Sequence, residues 1–253
     1  MGWQEIDGTD SSATGGKRMR PTLAMLAADA VGGDLERATP IAVALEYVHN
    51  FSLIHDDLED MDRMRHHRPT VWAVWGKPAA IISGNAMLKI ADQAVWKLRS
   101  VGVEDSIALE AEAELTQQYL KMMEGQYLDI SFETEKSVSV LQYLDMIERK
   151  TGALIEASIY LGGLVGPRTG PDRQKAIALK AIGHELGRIF QIRDDVLGIW
   201  GGKETGKPVG ADIKRKKKAL PAIHALNMAR GASASRIGDI FQTQDDLNEK
   251  EIH

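Results

Sequence analysis

The chain has 253 residues, 43% of them hydrophobic and 26% charged, a balance that suits a folded globular protein with a sizeable core. It contains no cysteine, which excludes disulfide scaffolds, zinc–thiolate sites and cysteine nucleophiles and fits a reducing cytoplasm. The formal net charge of -5 gives no general reason to expect a nucleic-acid partner, and no apolar run approaches the roughly 20 residues of a membrane-spanning helix.

The stretch before Gly15 is polar and rich in Gly and Ser, and reads as loop without the basic-then-apolar pattern of a signal peptide. Helical periodicity begins at Pro21, which suits a first turn. Leu23, Leu26, Ala27 and Ala30 follow at helical spacing before Gly32-Gly33. A second helix is expected after Thr39-Pro40, carrying Ile41, Ala44, Leu45, Val48 and Ser52 into an acidic cluster. Further helices are predicted over 78–99, 104–131, 139–148, 150–165, 172–200 and 219–230, punctuated by Gly and Pro clusters such as Gly166-Pro167 and Gly170-Pro171. Strand alternation is almost absent and the connections are short, so the expectation is one all-α domain over 1–253, an antiparallel helical bundle.

Two acidic stretches break this apolar pattern. In His55-Asp56-Asp57-Leu58-Glu59-Asp60, Asp56 and Asp60 are four apart and share a helix face, following apolar Leu53 and Ile54. Like charges at that spacing weaken a helix by a few tenths of a kcal/mol, and an acidic cluster by itself is more often a solvated face. Hard oxygen ligands without His or Cys favour magnesium if a cation is bound. In Phe190-Gln191-Ile192-Arg193-Asp194-Asp195, Gln191, Asp194 and Asp195 stand at i, i+3 and i+4 of an apolar helix, so all three can point the same way. Two such faces across a bundle would hold several magnesium ions completed by phosphate oxygens and water. Basic groups suited to an anion occur at Lys17-Arg18-Met19-Arg20, Arg63-Met64-Arg65, Lys150, Lys207 and the run 214–218, each of which alone is more often a surface residue.

The stretches Gly15-Gly16-Lys17-Arg18-Met19-Arg20-Pro21, Leu45-Glu46-Tyr47-Val48-His49, Ser52-Leu53-Ile54-His55-Asp56-Asp57, Arg68-Pro69-Thr70 and Gly125-Gln126-Tyr127-Leu128-Asp129 follow one another in order. They continue with Lys150-Thr151-Gly152-Ala153-Leu154, Phe190-Gln191-Ile192-Arg193-Asp194-Asp195 and Thr205-Gly206-Lys207-Pro208. From Gly15 to Asn227 the chain resembles the trans-isoprenyl diphosphate synthases, the polyprenyl synthetase family.

That resemblance implies an isoprenoid-synthase-type bundle around a central cavity, acting as a cytoplasmic homodimer. An allylic diphosphate bound through three Mg2+ ions would ionise there and be attacked by isopentenyl diphosphate. By resemblance Asp56, Asp60 and Asp194 hold metal, with Asp57 and Asp195 supporting. Arg65, Lys150, Thr151, Gln191, Lys207 and Lys217 match contacts to the allylic diphosphate, and Lys17, Arg20 and His49 match contacts to isopentenyl diphosphate. Phe51 and Ser52 match the positions that floor the product tunnel, most like enzymes making geranylgeranyl (C20) diphosphate, with farnesyl (C15) diphosphate close behind.

The chain departs from the family pattern at several positions. The second arginine of an Arg-Arg pair, an isopentenyl diphosphate ligand, is His66, which donates to phosphate most strongly when protonated. Gly198 and Gly202 stand where aspartates occur in many members, and Asn85 replaces an aspartate. These departures keep two alternatives open beside the prenyl-elongating synthase. One is a same-fold terpene cyclase or another enzyme that ionises an allylic diphosphate without condensation. The other is a non-catalytic subunit of a heteromeric synthase.

Overall fold

The structure, a computed structural model, describes residues 18–65, 68–135, 137–201, 211–214 and 216–242. In chain order these form α1 (Met19–Ala30), α2 (Leu35–Glu59), a minimal antiparallel hairpin of β1 (Met64–Arg65) and β2 (Arg68–Pro69), α3 (Val71–Trp75) and α4 (Lys77–Trp96). After a 3-10 turn at Arg99–Val101 come α5 (Asp105–Thr134), α6 (Val140–Ile147), a π turn at Glu148–Gly152, α7 (Ala153–Val165) and α8 (Arg173–Trp200). Short α9 (Ala211–Lys214), α10 (Leu220–Met228) and α11 (Gly231–Gln242) complete the described chain. The all-α expectation holds, and no helix among the described residues is long and apolar enough to cross a membrane.

The residues divide into two compact units, the first running to Leu120 and including Leu154–Gly183, the second comprising Lys121–Ala153 and everything from His184 onward. In the first unit, α2 is the central helix. Its residues Ile41, Ala44, Leu45 and Val48 are fully buried, and it packs against α1 and α4. Buried Arg37 is satisfied by the backbone: Nε donates to Val165 O at 3.2 Å and Nη1 to Gly102 O at 2.6 Å. Val165 ends α7, so a cation meets the negative end of a helix there. In the second unit a core of Phe132, Val138, Tyr143, Met146, Ile147 and Ile223 joins the end of α5 to α6 and α10.

Four local expectations are corrected. Helix α2 begins at Leu35 rather than after Pro40, because the Asp34 side chain accepts from Glu36 N at 2.9 Å and caps it, leaving Pro40 inside the helix. The buried face of α1 is Ala24, Ala27 and Ala28, with Leu26 58% exposed, because small side chains let this helix approach its neighbours closely. Residues 148–152, where one predicted helix ends and the next begins, form a π turn. Residues 231–242, beyond the last predicted helix, are helical.

Candidate functional site

The first acidic stretch occupies the C-terminal end of α2. Asp60 is the C-cap residue, and its N–H donates to Asp56 O at 2.8 Å, so the four-residue relationship of these two acids is kept at the helix end. The last carbonyls of α2 add partial negative charge to that of the carboxylates, which favours a cation. Met61 turns the chain through a left-handed backbone (φ 55°). Beyond it the Asp62 carbonyl accepts from Thr70 Oγ1 at 2.8 Å and Trp72 Nε1 at 2.7 Å, while Arg63 stacks on the Trp72 ring. These contacts bring the hairpin back to the acids. Arg65 on β1 spans both members of the doublet, with Nε to Asp57 Oδ1 at 2.6 Å and Nη2 to Asp56 Oδ2 at 3.0 Å. The fork geometry of guanidinium makes this two-carboxylate grip possible.

Burial sets the electrostatics of this cluster. Asp57 is 6% exposed, and desolvation pushes its carboxyl above the ordinary carboxylate range, with the Arg65 hydrogen bond working against that shift. Burial also opposes the Arg65 charge, yet hydrogen bonds and charges from Asp57 and Asp56 together hold its pKa above the ordinary value. Asp60 is exposed.

Other predicted residues lie in the same unit. Phe51 is buried and meets the His55 ring edge-on at 4.8 Å between centroids, and Ser52 Oγ donates to His49 O at 2.8 Å. Arg20 on α1 has a buried Nε with no hydrogen-bond partner among the described residues. Desolvation lowers the Arg20 pKa to about 10, partly offset by Glu46, so the guanidinium stays charged at neutral pH.

The second acidic stretch lies on α8 in the other unit, and there the doublet is split. Asp195 is 2% exposed whereas Asp194 is exposed, because adjacent helical positions lie about 100° apart around the axis. Gln191 and Asp195 are joined along one side of α8, and Asp194, the remaining member of the trio, is exposed. Asp195 accepts at both oxygens, from Gln191 Nε2 at 2.9 Å at one and from Tyr143 Oη and Leu220 N at the other. Leu220 opens α10, so Asp195 supplies the N-terminal acceptor that this helix lacks from its own cap residue. Burial raises the Asp195 pKa, opposed by its three hydrogen bonds and by Lys217. The partner Tyr143 is pushed up as well, by burial and by the adjacent charge of Asp195.

Lys150 and Thr151 lie in the π turn. Lys150 Nζ reaches Asp129 Oδ2 at 2.5 Å, and Thr151 Oγ1 donates to Gln191 Oε1 at 2.7 Å. Thr151, Gln191, Asp195 and Tyr143 thus form one continuous hydrogen-bonded chain. Lys217 is exposed, Gly198 is buried, and Asn85 lies on exposed surface of α4. Lys17, His66, Lys207 and Gly202 lie outside the described residues.

Two residues of these surroundings carry no motif. Tyr143 was legible only as the one hydroxyl-bearing ring in an apolar helix face, a group that needs a partner when buried. Lys218, in the basic run, turns inward and donates to the carbonyls of Phe132, Glu133 and Glu135 at the end of α5, where burial lowers its pKa.

The donor set suits magnesium, a hard cation, because its expected members Asp56, Asp60 and Asp194 are all carboxylates. A cation bound by one or two carboxylates and completed by substrate oxygens and water needs no more than that.

The sequence model of the polyprenyl synthetase family matches residues 8–253. The chain is 43% identical over 237 residues to the (2E,6E)-farnesyl diphosphate synthase of Mycobacterium tuberculosis, covering 93% of this chain and 63% of that protein. It is 40% identical over 243 residues to the geranylgeranyl diphosphate synthase of the same organism, covering 96% of this chain and 67% of that one. Among solved structures, the polyprenyl synthetase from Streptomyces coelicolor A3(2) superposes with a TM-score of 0.89 at 40% identity, covering 99% of this chain and 74% of that one. With the family's motifs in order and its fold reproduced, the chain belongs to the polyprenyl synthetase family.

Proposed function

We propose that the protein is a magnesium-dependent trans-prenyltransferase that joins isopentenyl diphosphate to an allylic diphosphate and gives a short-chain all-trans product, farnesyl (C15) or geranylgeranyl (C20) diphosphate. Two relatives, at 43% and 40% identity, carry the names of synthases for these two products. One observation supports the reading beyond family membership. Arg20 keeps a buried, unmatched donor on a charged guanidinium, an arrangement that a bound anion would satisfy.

In this proposal Asp56, Asp60 and Asp194 would hold magnesium, three ions in all, with Asp57 and Asp195 as supports. Bound magnesium neutralises the diphosphate and makes it a better leaving group. Arg65, Lys150, Thr151, Gln191, Lys207 and Lys217 bind the allylic diphosphate and stabilise the negative charge that develops as its C–O bond breaks. Lys17, Arg20, His49 and His66 hold isopentenyl diphosphate so that its double bond attacks the allylic carbon. The proton then lost from the new carbon skeleton leaves with the diphosphate. Phe51 and Ser52 limit product length. The chain acts as one catalytic domain in a cytoplasmic homodimer, for which exposed Leu109, Leu120, Tyr127 and Ile130 on α5 offer apolar surface.

The test is purified protein with magnesium, radiolabelled isopentenyl diphosphate and dimethylallyl, geranyl or farnesyl diphosphate in turn. Labelled C15 or C20 alcohols after phosphatase treatment, abolished by chelation and restored by magnesium, are expected. Unlabelled hydrocarbon or alcohol from the allylic substrate alone would replace condensation with cyclisation or hydrolysis. Turnover only after adding a homologous partner chain would make this a non-catalytic subunit.

A further inference from the structure

The turn that carries Lys150 and Thr151 is the one irregular element between α6 and α7. Residues Glu148–Gly152 are wound as a π turn, with i→i+5 geometry. Such a turn is wider than the α-helix and rarely found, so it persists where its surroundings fix it.

Two neighbouring helices approach this turn at glycines. A Cβ at Gly125 on α5 would lie 2.2 Å from Lys150 N and 2.6 Å from Lys150 Cα. A Cβ at Gly187 on α8 would lie 2.6 Å from Gly152 Cα. Both clashes are with backbone, so no rotation of a side chain relieves them. Each helix also presents a polar partner four residues further on, on the same face. Asp129 follows Gly125 and meets Lys150 Nζ at 2.5 Å, and Gln191 follows Gly187 and accepts from Thr151 Oγ1 at 2.7 Å. The turn is therefore gripped from two sides by the same device, a glycine for the backbone and a polar side chain one helical turn later.

We propose that Gly125 and Gly187 are positioning residues that hold the π turn where Lys150 and Thr151 can meet a diphosphate, an inference that rests on the prenyl transfer proposed above. Absence of a side chain at these two positions sets the depth of the turn, while Asp129 and Gln191 set the direction of its two functional side chains. A methyl group at either glycine displaces the turn by a fraction of an ångström to an ångström, and reacting groups displaced by that much lose up to about 100-fold in rate.

Gly183 provides the control. It lies on α8 one turn before Gly187, and a Cβ there would come within 2.8 Å of Glu156 Cα, close to the 2.6 Å contact at Gly187 and again with backbone, but away from the π turn. Gly187→Ala, Gly125→Ala and Gly183→Ala are compared by steady-state kinetics, thermal melting and hydrogen–deuterium exchange. The expected result is a kcat lowered about tenfold or more in Gly187→Ala and Gly125→Ala, with the KM for isopentenyl diphosphate changed less than about two-fold. Gly183→Ala should lose comparable melting temperature yet keep kcat within about two-fold. Equal kcat losses at 183 and 187, or wild-type kcat in both folded turn variants, would overturn the proposal. Exchange across residues 148–152 is read independently of turnover, and only Gly187→Ala and Gly125→Ala should accelerate it. If the wild-type protein condenses no isopentenyl diphosphate, prenyl transfer fails, but unequal exchange between 183 and 187 still supports the clamp and equal exchange removes it. Should the alanine variants not fold, protection of 148–152 in the wild type matching that of α7 supports a gripped turn, whereas exchange at the rate of open chain sinks it.

Discussion

The phenol of Tyr143 donates to the carboxylate of Asp195, and both residues are 2% exposed. A buried carboxylate is tolerable only when its lone pairs are used, and Asp195 also accepts from Gln191 and from the first amide of α10. Asp195 thereby ties α6, α8 and α10 together and fixes Gln191, whose other end receives the Thr151 hydroxyl. Tyr143→Phe keeps the ring in its core and removes only the donor. The expected outcome is a loss of about 1–3 kcal/mol in urea unfolding, because a buried carboxylate loses one of its three donors. A stability within error of wild type would show that the bond contributes nothing.

The same burial gives Asp195 a distinctive pH signature. Its folded pKa is raised above 3.8, so between the unfolded and folded values the native state binds the extra proton. The stability contribution of this group is therefore complete below about pH 4 and is lost as pH rises through the folded value. Asp195→Asn removes the titration while keeping an oxygen acceptor. The stability difference between wild type and variant should move against the wild type as pH is raised from about 4 toward neutrality. Urea midpoints at several pH values check this, and a difference that moves in the wild type's favour contradicts it.

Arg65 carries a different kind of weight, since it is the partner of Asp57 as well as a proposed ligand of diphosphate. Arg65→Ala leaves the nearly buried Asp57 charge without its cation, and we expect a loss of about 1–3 kcal/mol. That figure is below the range for a fully buried pair because 30% of the Arg65 side chain is exposed. Arg65→Lys keeps the charge but not the fork, so it should recover part of the stability and less of the activity. Chemical denaturation and the KM for the allylic diphosphate, measured on both variants, separate the two effects.

Phe51 is 4% exposed and packs on His55, so truncation opens a cavity beneath the acidic end of α2. Phe51→Ala should lower stability by about 3–5 kcal/mol. If Phe51 floors the product tunnel, the variant that remains folded should also lengthen the product, read by chromatography of the dephosphorylated alcohols. An unchanged product with lowered stability would leave Phe51 as core alone.

Much of this architecture was written in apolar spacing. The long helices α4, α5, α7 and α8 fall within a few residues of their predicted bounds, because a helix that buries one face must repeat its apolar residues at three and four. The acidic doublets were equally visible, since carboxylates are conspicuous in an apolar stripe. What a doublet does was not. Asp57 and Asp195 are buried and bonded while Asp60 and Asp194 are exposed, and this division depends on which neighbours pack against each side of the helix. Spacing along one helix carries no information about that.

The sequence by itself determined the helical fold, the family and the inventory of charged groups, because these follow from local periodicity and from motifs in order. Tertiary structure alone decided that Tyr143 secures Asp195, that Arg65 grips two carboxylates at once, and that two glycines four residues before polar partners enclose the π turn. Each of those relationships joins residues on separate elements or demands the absence of a side chain. Such contacts arise only when separate elements pack, and the energy of a buried charge or a close backbone approach is set by what lies across the gap.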